Sequence, residues 1–182
     1  MSLIENFKNY VGRIFLKKSG PIKSSQRSIP TFDSVAEIGI IYHAGSAANE
    51  EQINRVVHYL RDQGKKVWTM GFVNANTLPN NKKFHISSEY FWKEKLTWYN
   101  LPDTSKIGNF ITHRFDLVLN LYFEVDLPLM AMSSYTESAY SMGANIPDAL
   151  RYNDTIIDTG TEHSIQNLAT QMVHYLKVIN QK

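Results

Sequence analysis

The chain has 182 residues, of which 43% are hydrophobic, 20% charged and 12% aromatic, with 9 Gly, 6 Pro and a net charge of +2. That balance suits one α/β domain with a short appendage and excludes a wholly disordered, collagen-like or repeat-stretched chain. The absence of cysteine excludes disulfides, thiolate metal sites, iron–sulfur clusters and a cysteine nucleophile, and makes a cytoplasmic location the expectation.

The charge is unevenly placed. Residues 1–32 carry six basic side chains against one acid, whereas residues 33–182 carry 13 basic and 16 acidic ones. The chain therefore divides into a basic arm, 1–32, and a mildly acidic domain, 33–182, a split that points to an anionic partner. Within the arm, Leu3, Ile4, Phe7, Val11, Ile14 and Phe15 recur at helical spacing and predict an amphipathic helix over 2–17, with Ser2 as its cap. The helix is expected to end before Ser19-Gly20-Pro21, leaving 19–31 as a polar linker. The first expectation is that Leu3, Ile4, Phe7 and Val11 pack on the domain; docking on another macromolecule and lying on a membrane surface are the alternatives. No apolar run reaches the roughly 18 residues of a membrane span, and residues 1–18 lack the layout of a cleaved signal peptide.

From Ala36 strands and helices alternate. Ile38-Gly39-Ile40-Ile41-Tyr42 predicts a strand, 49–63 a helix capped by Asn49 and closed by Gly64, and 66–73 a second strand, together a βαβ unit. Short strands are expected at 84–86 and 90–92, a turn at 78–81 and a short helix at 103–113. Phe115-Asp116-Leu117-Val118-Leu119-Asn120-Leu121-Tyr122 predicts a central buried strand. A helix over 127–142 closed by Gly143, brief strands at 145–147 and 155–158, and a helix over 161–179 capped by Thr161 complete the chain. The fold class implied is α/β: a three-layer, Rossmann-like, open and mainly parallel sheet with helices on both faces, plus the N-terminal amphipathic helix.

In such folds ligands meet the carboxyl ends of strands. After the first strand, His43, Gly45 and Ser46 form a small-residue loop leading into a helix, a place where backbone N–H groups hold an anion, or simply a turn. After the central strand, Glu124 and Asp126 are candidates for a cation ligand or a general base, against the plainer role of Asp126 as a helix cap before Pro128. The chain has no G-x-G-x-x-G, no G-x-x-x-x-G-K-[ST], no H-E-x-x-H and no G-x-S-x-G, so no catalytic residue, metal site or cofactor is expected. Tyr90, Phe91, Trp92, Trp98 and Tyr99 interleave with Lys82, Lys83, Lys93 and Lys95, either as base-stacking groups or as a core edge covered by lysine stems.

Five segments, 38–42, the helix to Gly64, 67–72, the stretch ending Leu96-Thr97-Trp98-Tyr99, and 115–122, resemble an uncharacterised family of small Rossmann-like proteins of Bacteroidetes bacteria. The resemblance implies the fold and a bacterial cytosolic setting, and carries no functional residue. The 115–118 strand, the helix after it and Gly143-Ala144 are also similar to one half of some glycosyltransferases. Their nucleotide-binding half has no counterpart in this chain.

The leading functional expectation is a non-catalytic binding or adaptor protein. Its basic arm would contact an anionic assembly through Arg13, Lys17, Lys18, Lys23 and Arg27, with RNA or ribonucleoprotein as first candidate and a membrane surface after it. The alternatives are a small-molecule protein, a hydrolase or transferase among them, with its site between 43–46 and 124–126, and a homomeric scaffold.

Overall fold

The computed structural model describes residues 3–19, 27–80, 82 and 85–179. The expected Ser2 cap, Lys23, Lys83, Asn81 of the turn and Phe84 of the first short strand lie outside them. The elements are α1 (Leu3–Ser19), β1 (Glu37–His43), α2 (Ala47–Asp62), β2 (Lys66–Val73), β3 (Ser88–Trp92), β4 (Phe115–Leu121), α3 (Leu127–Tyr135), β5 (Ser138–Ala144), β6 (Thr155–Ile157) and α4 (Ile165–Val178).

All pairings between these strands are parallel, in the order β3-β2-β1-β4-β5-β6. Ile38, Ile40, Leu117 and Leu119 feed a core shared with α2 and α4. Ile41, Met70, Phe72 and Val118 feed a second core on the opposite face, with Leu16 of α1 and most of α3. Period-2 alternation in β1 and β4 thus serves two buried faces, which is why both strands read as continuous apolar runs.

The seam between arm and domain is closely tied. Phe32 is buried, its N–H donates to the Leu176 carbonyl at 3.2 Å, and Lys65 Nζ donates to the carbonyls of Phe32 and Val35 at 2.8 Å. The carboxylate of Asp116 accepts from the amides of Ala36 and Glu37, fixing the start of β1 against the start of β4.

Several expectations are corrected. His85 and Ile86 form no strand, His85 making only an isolated bridge to Ser88. The helix after β4 stops at Tyr135, and 138–144 is a strand. β5 has few branched residues because its neighbours come very near: a Cβ at Gly143 would lie 2.5 Å from Asn153 Oδ1, and Ser141 Oγ donates to Asp154 at 2.8 Å. Small residues there imitate a helical composition. The caps of α2 and α4 are Ser46 and Ser164, whose hydroxyls accept from the amides of Asn49 and Asn167, so neither Asn49 nor Thr161 caps its helix. Segment 103–113 holds only a 3-10 turn, Asn109–Thr112; Phe110 is buried there, with Ile107 and Ile111 partly buried against the same core. Residues 145–147 lie outside the strands: Ile146 N–H turns back to the Ala144 carbonyl at 3.0 Å.

The largest correction concerns α1. Glu5, Asn9, Gly12 and Leu16, at spacings of four, three and four, form the face turned to the domain. Leu16 is buried and Phe15 stacks on Tyr99 at 4.8 Å. Leu3, Ile4 and Phe7 are 88%, 69% and 60% exposed. The helix packs on the domain by Glu5, Asn9, Gly12 and Leu16, with Phe15 at the edge of that seat, while Leu3, Ile4 and Phe7 of the apolar stripe face away from it.

Candidate functional site

Strand order reverses direction between β1 and β4, so the crevice beyond their carboxyl ends is the place to look. A cleft of about 650 Å³ opens there, bordered by Phe72 at the end of β2, Asn74 and Asn76 just after it, Lys93 and Thr97 beyond β3, and Glu124 to Pro128 beyond β4. Glu5, Lys8 and Asn9 of α1 form its roof.

Asp126 is a partly buried acid of this cleft. Its side chain caps α3 by accepting from the Leu129 amide at 3.4 Å, with Pro128 in the first turn. Burial pushes its carboxyl above the usual range; the Leu129 bond and the nearby His43 act against that rise, and Glu124 adds to it. Glu124 itself is exposed.

His43 ends β1, with its ring edge-on to Phe72 at 5.8 Å between centroids. Its Nδ1 accepts from the Gly45 amide at 3.2 Å, and a Cβ at Gly45 would press on the imidazole. Ser46 is the α2 cap, accepting the Asn49 amide at 3.1 Å, while the Glu50 amide donates to the Ser46 carbonyl. The amides of Gly45, Asn49 and Glu50 are thus used inside the chain. The structure brings Glu124 and Asp126 into the cleft with His43 in electrostatic reach, and leaves Gly45 and Ser46 outside its lining.

Sequence reasoning missed the amide groups. Asn74 and Asn76 follow β2 directly, so the strand-end rule applied to β2 would have found them. Asn100, at φ 61°, uses its side-chain amide to donate to Glu5 Oε1 at 3.0 Å and to Asn9 Oδ1 at 2.7 Å, latching the roof to the 97–101 turn. No local pattern announces that latch. The cleft offers carboxylates, carboxamides and ammonium groups suited to a polar small molecule. Among the described residues no group of three or more His, Asp and Glu is arranged to hold a metal ion.

The basic arm divides. Arg13, Lys17 and Lys18 lie exposed on α1. Arg27 instead turns inward, its guanidinium 3.3 Å from Asp154 Oδ2, the two side chains 11% and 14% exposed. Asp154 also accepts from Ser141 N and Oγ at 2.8 Å. The aromatic segment is largely used within the fold: Phe91 is buried, Lys95 sits over Trp92, Tyr90 lies under Lys82, and Tyr99 holds Phe15. Trp98, 60% exposed, lies edge-on to Tyr99.

A six-stranded parallel sheet in this order, covered on both faces, defines a Rossmann-like α/β protein. The chain belongs to the family of unknown function DUF6913, whose family model matches residues 8–179. None of the curated proteins matches it. No described helix is long and apolar enough to cross a membrane.

Proposed function

We propose that this chain is a non-catalytic binding protein, an adaptor whose α/β body presents α1 to an anionic partner surface. The observation that carries the reading is the outward stripe of α1: Leu3, Ile4 and Phe7 face solvent while Arg13, Lys17 and Lys18 lie exposed on the same helix. Contiguous exposed apolar side chains are uncommon on a protein that works alone. A bacterial, cytoplasmic setting belongs to the same proposal.

The test is capture of partners from native lysate by the full chain and by its Lys17→Glu/Lys18→Glu form, at low and moderate salt. Recovery that falls with salt and with charge reversal supports the adaptor reading. Equal recovery by both proteins removes α1 from the interaction and the reading with it.

The enclosed Asp126 favours a second reading, a polar small molecule held in the cleft. A thermal-shift screen of polar metabolites tests it. A hit that is retained unchanged by Asn76→Ala and Lys93→Ala excludes this cleft as its site.

A further inference from the structure

We infer that the outer face of α1 docks on an anionic lipid surface, lying in the plane of the headgroups with its apolar stripe in the acyl boundary. This rests on the adaptor reading and names the partner surface.

The stripe is continuous. Leu3, Ile4, Phe7, Tyr10 and Ile14 are exposed large side chains at helical spacing along one side, with Phe15 at its margin. Phe15 stacks on Tyr99, and Tyr99 meets the exposed Trp98 edge-on, so the apolar surface runs from the helix onto an indole of the body. Trp and Tyr with one apolar and one polar side suit the headgroup level.

Charge selects the lipid. Described α1 carries Lys8, Arg13, Lys17 and Lys18 against Glu5, and Glu5 points to the domain, where Asn100 donates to it at 3.0 Å. The outward side is therefore apolar, with Lys17 beside it and Lys18 at its C-terminal end, and such long side chains reach phosphates while their stems lie along the acyl chains. An RNA backbone would engage the basic residues but offers nothing to the apolar ones. A second copy would cover the apolar residues but offer no acid of this helix to Lys17 and Lys18, since Glu5 is turned to the domain. An anionic bilayer satisfies both halves at once.

The geometry of attachment fits as well. A Cβ at Gly12 would overlap the Tyr99 carbonyl oxygen and come within 2.8 Å of Leu127 Cδ2. The body therefore grips the helix from behind through the narrowest residue available, leaving the apolar side free to enter a surface without the helix leaving its seat.

The experiment is co-sedimentation of the full chain with vesicles of phosphatidylglycerol and phosphatidylethanolamine in equal parts, beside vesicles of phosphatidylcholine alone. Binding is expected to be more than tenfold stronger to the anionic vesicles. Lys17→Glu/Lys18→Glu should lose at least roughly fivefold for each residue changed, since each swap removes one attraction and adds one repulsion, and Phe7→Glu or Ile4→Glu more than tenfold. Ile86→Glu, at an 87% exposed apolar residue before β3, should bind as the parent does, and circular dichroism checks that each variant is folded. Equal binding to both vesicle types, or none to either, overturns the lipid assignment. If poly(U) is instead bound in a Lys17- and Lys18-dependent way, the lipid assignment falls and the adaptor reading stands. If light scattering finds a dimer that Phe7→Glu disperses, a second copy holds the face and the lipid assignment falls. If vesicles, poly(U) and lysate partners all ignore the α1 variants, both readings fall.

Discussion

The carbonyl oxygen of Tyr99 stands within the space that the β-carbon of any residue other than glycine at position 12 would need. Helix α1 is thereby held against the 97–101 turn at a distance that only a bare Cα permits.

Replacing Gly12 by valine should lift α1 from its seat and lower stability by about 1–3 kcal/mol, the usual cost of overpacking. Amide hydrogen exchange should accelerate across 3–19 while the protection of β1 and β4 is retained. Unchanged exchange in α1 would mean that the turn yields rather than the helix.

Asn100 adds a polar latch to the same seat, in a left-handed conformation that few residues other than glycine tolerate. Asn100→Gly keeps the backbone but loses the bonds to Glu5 and Asn9, and should cost about 1–2 kcal/mol. Asn100→Ala should cost about 1 kcal/mol more, through the backbone. In a double-mutant cycle, Asn9→Ala should couple with Asn100→Gly by about 0.5–1.5 kcal/mol; additivity would show that their 2.7 Å contact contributes nothing.

Arg27 and Lys17 are both basic residues of the arm, yet their substitutions should part ways. Arg27→Ala removes a partly buried partner of Asp154 and should cost about 2–3 kcal/mol in chemical denaturation. Lys17→Ala, at an exposed position, should stay within about 0.5 kcal/mol while weakening partner binding. The reverse pattern would place the functional charge at 27.

The pH dependence of Asp126 has a definite sign. Burial raises its carboxyl in the folded state, so its ionisation weakens the fold as pH rises from the ordinary aspartate value through the elevated one. Asp126→Asn keeps a capping oxygen and removes the buried charge. Urea denaturation at pH 7 should find the variant at least as stable as the parent, with any gap closing as pH falls. A clearly less stable variant at pH 7 would show that the carboxylate is held by its partners.

How much was legible follows from where the information resides. β1, β2 and β4 stand out as apolar runs because both of their faces are buried, and the rule that strand ends carry ligands points to Glu124 and Asp126, which the fold places at the border of the cleft. β5 was hidden because Asn153 and Asp154 crowd its backbone and demand Gly143 and Ser141, residues with no strand signature. The seat of α1 was hidden for a related reason. Periodicity reports which side of a helix is oily, while the choice of seat was made by Gly12 and by Asn100 distant in sequence, and those contacts exist only once the chain is folded. The caps Ser46 and Ser164 are residues of the capping kind, each three positions from Asn49 and Thr161.

The position of β1 between β2 and β4 governs how the polypeptide meets the cell before it is complete. While the chain emerges from its N-terminus, Ile38, Ile40 and Ile41 acquire β2 as a neighbour early, but their other flank waits for Leu117 to Leu121, some two-thirds of the way along. For that interval the central strand is an open apolar border, able to pair with a stranger as readily as with its own partner. Translational pauses between β2 and β4 should therefore lower the soluble yield far more than pauses after β4.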